Sequence, residues 1–215
     1  MEQSPTDGPR WRRGGDPEFS RPLNFTDAVF AIALTLLALD LRIDRIAGNA
    51  DSVTAMWQAL VDLFPQVIAY VVAFFLLGKY WLAHHRFAAR LGAVDSRFLT
   101  LTLVYLAFVA VLPFPTSLIG GYEGNPLSGV LFALNLAAIS GMETVMLLHA
   151  QRHHLLMDGA SAQMRRWELL CSLAPAAMFT ATIPLAFVDP TWMLLSWLVF
   201  GIGLSRWSDR ARPTA

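Results

Sequence analysis

Residues 21–41 read RPLNFTDAVFAIALTLLALDL, and between Asp27 and Asp40 this stretch carries no charge. About 20 apolar residues are enough for one helix to cross a bilayer, so the stretch has the length and polarity of a membrane span. Ser20 stands before it as a candidate N-cap, and Pro22 falls in the first turn, where the missing N–H is unpaired in any helix. Working outward, five more apolar segments follow at about 57–83, 98–119, 127–149, 167–187 and 191–207. The chain has 215 residues, is 55% hydrophobic and 15% charged, and has a mean hydropathy of +0.48. Six crossings with short loops fill that length, which leaves no room for an extramembrane catalytic domain. The expected fold class is an all-α membrane protein with six transmembrane helices per chain.

Residues 1–20 are rich in Pro, Gly and charge with no apolar period, and read as a disordered tail; 208–215 read as a short C-terminal tail. No apolar run followed by a small-residue cleavage site precedes the first span, so no cleaved signal peptide is expected. Pro113 and Pro115 near the end of segment three, and Pro175 and Pro184 in segment five, predict kinks. The turns at Gly120-Gly121 to Pro126 and at Asp189-Pro190 predict antiparallel hairpins. Of the 16 Lys and Arg, 14 fall in the two tails and in the connections after segments two and four, while Arg42 and Arg45 lie on the other side. Basic loops stay inside, so both termini are expected in the cytoplasm. Formal net charge is zero, which gives no argument for nucleic acid, and the single cysteine, Cys171, excludes an intrachain disulfide or a cysteine metal cage.

Ionisable groups inside apolar spans are costly and mark the places to look for function. Asp27 lies near the start of segment one, Glu143 near the end of segment four, and Lys79, Trp81, His84, His85 and Arg86 at the end of segment two. All fall near one membrane face, which predicts a cluster in which Asp27 is hydrogen-bonded and ion-paired with basic groups. Such a cluster is either a clasp between helices one and two or a proton or ion relay. Adjacent His84 and His85 point ~100° apart on a helix, which disfavours a shared metal ion. On segment one, Ile32, Leu36 and Leu39 fall within ~60° of one another, with Thr35 beside them and Asp27 ~140° from Ile32. Periodicity leaves open whether that stripe meets lipid, a neighbouring helix or a pore.

Arg21 to Asp27 resembles the RxxxFSD signature that opens the first helix of the transmembrane protein 175 family. Trp81-Leu-Ala-His84-His85-Arg86-Phe87, then Asp95, then Leu112-Pro113-Phe114-Pro115-Thr116 are similar in order and spacing to the second and third helices of that family. Thr26 stands where the family usually has Ser, and Thr102 where Asn is common. The resemblance implies a potassium-permeable cation channel, in prokaryotes a plasma-membrane homotetramer of single six-helix units, here residues 21–207. It implies that helix one lines the central pore, with Ile32, Leu36 and Leu39 as an aliphatic constriction and hydrophobic gate and Thr35 as a hydroxyl ring. It further implies that Arg21, Phe25, Thr26, Asp27, Trp81 and His84 anchor the foot of that helix. Partners are then a second to fourth copy of the chain, the bilayer and transient potassium, with no fixed metal, no cofactor and no nucleic acid. No TVGYG-like run is present, so a filter of stacked carbonyls is not expected. The competing class is a proton-coupled or cation secondary transporter, for which Glu143 is the candidate titrating group. An intramembrane enzyme lacks a serine, paired-aspartate or metal-ligand motif at a reactive depth.

Overall fold

The computed structural model describes residues 10–13, 17–43, 52–122, 124–157, 159, 161–190 and 192–197. Its elements are strand β1 (Arg10–Arg12), helices α1 (Pro17–Leu39), α2 (Val53–Asp62) and α3 (Phe64–Ala89), strand β2 (Ala93–Asp95), and helices α4 (Ser96–Val111), α5 (Pro113–Gly121), α6 (Pro126–Arg152) and α7 (Ala162–Ala181). A 3-10 turn, Ile183–Phe187, closes α7. Among the described residues, five helical stretches are long and apolar enough to cross a membrane: Pro17–Leu39, Phe64–Ala89, Ser96–Gly121, Pro126–Arg152 and Ala162–Phe187. The chain is therefore a multi-pass membrane protein. Of the expected sixth segment, residues 192–197 are helical, and the rest lies outside the described residues.

Prolines set the breaks. Pro65 has no N–H to give, so the expected segment at 57–83 divides at Leu63 into the exposed α2 and the long α3. Ser52 caps α2 by accepting from the Ala55 N–H at 3.4 Å. Pro113 divides the third segment into α4 and α5 at Leu112. Pro184 ends α7 in the 3-10 turn, whereas Pro175 is held inside the helix. Gly124 takes φ +74° in the turn before α6, a conformation that suits glycine, and Asn125 then caps α6 through the Leu127 N–H at 3.0 Å.

The bundle is layered. α1 packs on α3, α4 and α5; α6 packs on α4, α5, α7 and the 3-10 turn. Buried residues of α6 run from Ser128 to Ala150 over one broad face, while Leu127, Leu134 and Val145 are exposed on the remaining strip, as befits a helix packed on several neighbours. On α3 the buried set Ala69, Ala73, Leu77, Tyr80, His84 and Phe87 forms one face at spacings of three and four. The Tyr80 hydroxyl meets the Ser140 hydroxyl and the Leu136 carbonyl, tying that face to α6.

One end of the bundle is stitched together by chain that the sequence left without structure. β1 pairs antiparallel with β2, with Trp11 opposite Val94. Arg13 donates to the carbonyls of Leu91 and Ala88 at 2.8 Å and of Ala89 at 3.2 Å, so a guanidinium closes the C-terminal end of α3. The expectation of disorder over 1–20 is thus corrected at 10–13 and 17–20, where ladder pairing, these carbonyl bonds and the burial of Phe19 hold the chain; residues 1–9 and 14–16 lie outside the described residues. Leu155 reaches the same loop, accepting from Gly92 at 2.8 Å and Ala93 at 3.2 Å. Asp95 caps α4 through the Phe98 N–H at 2.7 Å and accepts from His149 Nε2 at 3.0 Å on both oxygens. His149 in turn stacks on His153 at 4.3 Å.

α6 ends in a turn whose Leu155 N–H bonds the Ala150 carbonyl at 3.0 Å, with His154 at φ +53° in the position usually held by glycine. A left-handed conformation costs a residue with a Cβ roughly 1 kcal/mol relative to glycine. His154→Gly should therefore raise stability by about 1 kcal/mol, less the freedom glycine regains in the unfolded chain, read as a higher thermal midpoint of the solubilised protein.

Candidate functional site

α1 divides into a bedded face and an open one. Phe19, Thr26, Phe30, Ala33 and Leu37 are buried against the bundle. Ile32 at 57% exposure, Leu36 at 39% and Leu39 at 59% are open, as are Phe25 and Thr35. At ~100° per residue the open aliphatic stripe is turned well over 90° from the middle of the buried one. Phe30 meets His84 of α3 and Tyr105 of α4, and Leu37 lies beside Gln66 and Tyr70 of α3 and Thr116 of α5. The small residues Ala28, Ala31 and Ala38 leave the other flank of α1 open as well. Thr35 donates its hydroxyl proton to the Ile32 carbonyl at 2.8 Å. Its oxygen lone pairs are therefore what it can present to the open side, an acceptor of the kind a cation takes.

The foot of the helix is held by an acid and a column of rings. Asp27 accepts from Trp81 Nε1 on α3 at 2.9 Å, and His85 stacks on the same indole at 5.5 Å between centroids. His84, 3% exposed, lies over Tyr105 of α4 at 5.4 Å and 18°, while Phe30 of α1 stands 6.4 Å from His84 and 6.0 Å from Tyr105. Three helices thus meet around one set of stacked rings. Among the described residues, neither nitrogen of His84 nor the Tyr105 hydroxyl has a hydrogen-bond partner. Asp27, His84, His85 and Arg13 together line a small cavity of about 270 Å3.

The structure brings together only part of what the sequence grouped. Asp27, Trp81 and His84 share the foot of α1, and buried Thr26 donates to the Pro22 carbonyl at 2.9 Å. Arg21 is exposed and pairs with Glu18 at 2.7 Å, and Phe25 lies on the open face instead of in the anchor. Thr102 is buried and donates to Phe98 of its own helix at 2.9 Å, the locally satisfied state that its hydroxyl allows. The ion pair expected for Asp27 is replaced by the neutral indole, because Lys79 and Arg86 sit about 140–160° around α3 from Trp81. They line a separate cleft with Glu143, so the single cluster predicted at that depth is two. The Asp95–His149 pair and the Arg13 clasp were missed. Asp95 three residues before Phe98 is a readable N-cap signature, but no local signal announces a partner 54 residues away.

Among the described residues no group of three or more His, Cys, Asp or Glu could hold a metal ion. What the arrangement offers is an aliphatic, hydroxyl-bearing face on a helix whose other side and foot are fixed.

Residues 21–113 match the family model described as endosomal/lysosomal potassium channel TMEM175. The chain is 30% identical over 177 residues, 80% of its length and 84% of the relative's, to a potassium channel of Streptomyces collinus. Among solved structures it resembles a lysosomal potassium-selective channel TMEM175 homolog from Chamaesiphon minutus, with a TM-score of 0.74 at 22% identity, over 90% of this chain and 99% of that one. A variant of the potassium channel MtTMEM175 aligns with a TM-score of 0.62 at 17% identity, over 96% of this chain and all of the other. At those identities the two structures speak to the fold.

Proposed function

The chain belongs to the TMEM175 potassium-channel family, and on that premise we propose that it is a potassium channel whose passage is made by the open face of α1 from four copies. One observation carries the reading: Ile32, Leu36 and Leu39 stand exposed on the apolar helix whose opposite side is bedded in α3, α4 and α5. A stripe facing a shared axis narrows the passage without supplying ligands for a bare ion. Ions then pass partly hydrated, and potassium, which holds its water less tightly than sodium, meets the lower barrier. Thr35 oxygens add a ring of acceptors at the narrow part. The result is moderate selectivity, with closure by dewetting of the aliphatic ring.

The unpacked Ala28, Ala31 and Ala38 flank supports assembly, since small side chains let neighbouring helices approach in a membrane. The homotetramer, the six-helix unit over 21–207 with its terminal segments, the cytoplasmic termini and the plasma-membrane location all belong to this proposal; the basic loops and the family resemblance support them. No resident cofactor is required, only permeant ions. Glu143, the group a coupled transporter would use, lies on the far side of α3 from Trp81 and away from the α1 face.

The test is potassium efflux from vesicles carrying the purified chain, measured against sodium under the same gradient. Potassium efflux exceeding sodium severalfold supports the proposal, and equal or absent fluxes refute it. The foot of α1 has its own test. Trp81→Phe keeps the ring and removes the N–H that Asp27 accepts, a bond of about 1 kcal/mol. Flux should change about fivefold while the potassium-to-sodium ratio stays fixed, because the variant alters how α1 is held and leaves its pore face alone.

A further inference from the structure

Lateral to the proposed passage, α3, α6 and α7 enclose an open cleft of about 840 Å3, near the top of the ~300–1,000 Å3 range of small-molecule sites. Its wall is overwhelmingly apolar, and its chemistry is ordered along α3. Val72, Phe75 and Leu76 line one end; Lys79, Arg86 and Arg90 follow toward the other. At ~1.5 Å per residue, Arg86 and Arg90 lie within ~5 Å of the end of α3, and Lys79 ~10 Å deeper than Arg86. Arg90 is steadied by Glu168 of α7 at 3.0 Å, and Glu168 also accepts from Gln151 of α6 at 3.2 Å. Glu143, the acid lining the cleft, lies about level with Lys79 by helix rise, so the excess of positive charge is greatest toward the Arg86 end.

An apolar slot that opens sideways from a membrane bundle and ends in cations at the membrane surface is complementary to one kind of molecule. We infer that this cleft binds an anionic glycerophospholipid, with an acyl chain along Val72, Phe75 and Leu76 and the phosphate held by Arg86 and Lys79. A zwitterionic lipid has the same chains but brings a cation to the same head-group site. A soluble anion has no use for the apolar length. Each basic residue near the surface contributes about fivefold to retention of an anionic lipid. The inference rests on the chain spanning a membrane and not on where the passage runs.

Cys171, the chain's one cysteine, lines the cleft and reports on its occupancy. The experiment follows maleimide alkylation of Cys171 by mass in detergent-solubilised full-length chain, with added phosphatidylglycerol or phosphatidylcholine. Phosphatidylglycerol is expected to protect at a roughly 30-fold lower concentration than phosphatidylcholine, and Lys79→Gln with Arg86→Gln should bring the two lipids together. Ala83→Trp, at an exposed position in the cleft wall that leaves every charge in place, should remove protection by both. Equal protection in the unaltered chain overturns the inference. So does an anionic preference that survives the double substitution, or protection that survives Ala83→Trp. Potassium flux is not read in any arm, so the lipid site and the pore fail independently.

Discussion

Ile32→Asn or Leu36→Asn raises potassium flux about tenfold and lowers its preference over sodium. A polar ring at the constriction holds water where the aliphatic one sheds it, and a tenfold rise corresponds to a barrier lower by about 1.4 kcal/mol. Both side chains are exposed in the single chain, so the substitutions cost little packing inside it. Thr35→Val separates the two contributions within the same helix. It keeps the girth of the side chain, removes the oxygen, and should lower the potassium preference severalfold without the tenfold gain in flux. Paired potassium and sodium efflux from vesicles reads all three variants. Unchanged flux and unchanged ion preference in both Asn variants mean that this face of α1 does not line the passage.

Asp95→Ala lowers stability by about 3 kcal/mol, since it removes the α4 cap, worth ~1 kcal/mol, and leaves the buried His149 N–H without an acceptor, worth ~1–3 kcal/mol. For a chain of this size that is roughly 6–12 °C in thermal midpoint. Asp95→Asn keeps an oxygen for the Phe98 N–H and should lose less. The pH dependence has a definite sign. Burial raises the Asp95 carboxyl, but the Phe98 N–H, the His149 hydrogen bond and the positive charge of His149 and His153 outweigh it and hold the group below the usual carboxylate range. A depressed acid contributes fully above its unfolded value of ~3.9 and loses that contribution as pH falls through the lower folded value. The gap between the unaltered chain and Asp95→Asn should therefore close as pH falls below about 4. A gap that widens over that acid range contradicts the assignment.

How much of this was legible in the chain differs by interaction range. Spans follow from composition, because 20 apolar residues in a row have few alternatives to a membrane helix, and the break at Leu112 follows from Pro113, whereas the segment expected whole at 57–83 is divided at Leu63 before Pro65. The angular separation of the Ile32 stripe from Phe30 and Leu37 was likewise available from a ~100° step per residue. What could not be read was rotation about α3. Sequence puts Lys79, Trp81, His84 and Arg86 in the last turns of one helix, but only packing decides that Trp81 meets Asp27 while Lys79 and Arg86 line the cleft with Glu143. The same limit hid the end of the bundle. Arg10–Arg12 form a three-residue strand with no periodicity of their own, and they become a strand only because β2 lies beside them. His149 looked like any basic residue near a helix end until α4 brought Asp95 to it.

A map of the purified assembly in lipid discs tests the central claim most directly. The account requires four copies around one axis, with Ile32, Leu36 and Leu39 of each copy facing a continuous passage and the cleft beside Lys79 on the lipid side. A map with those three side chains against lipid, or with no passage between the α1 helices, contradicts it.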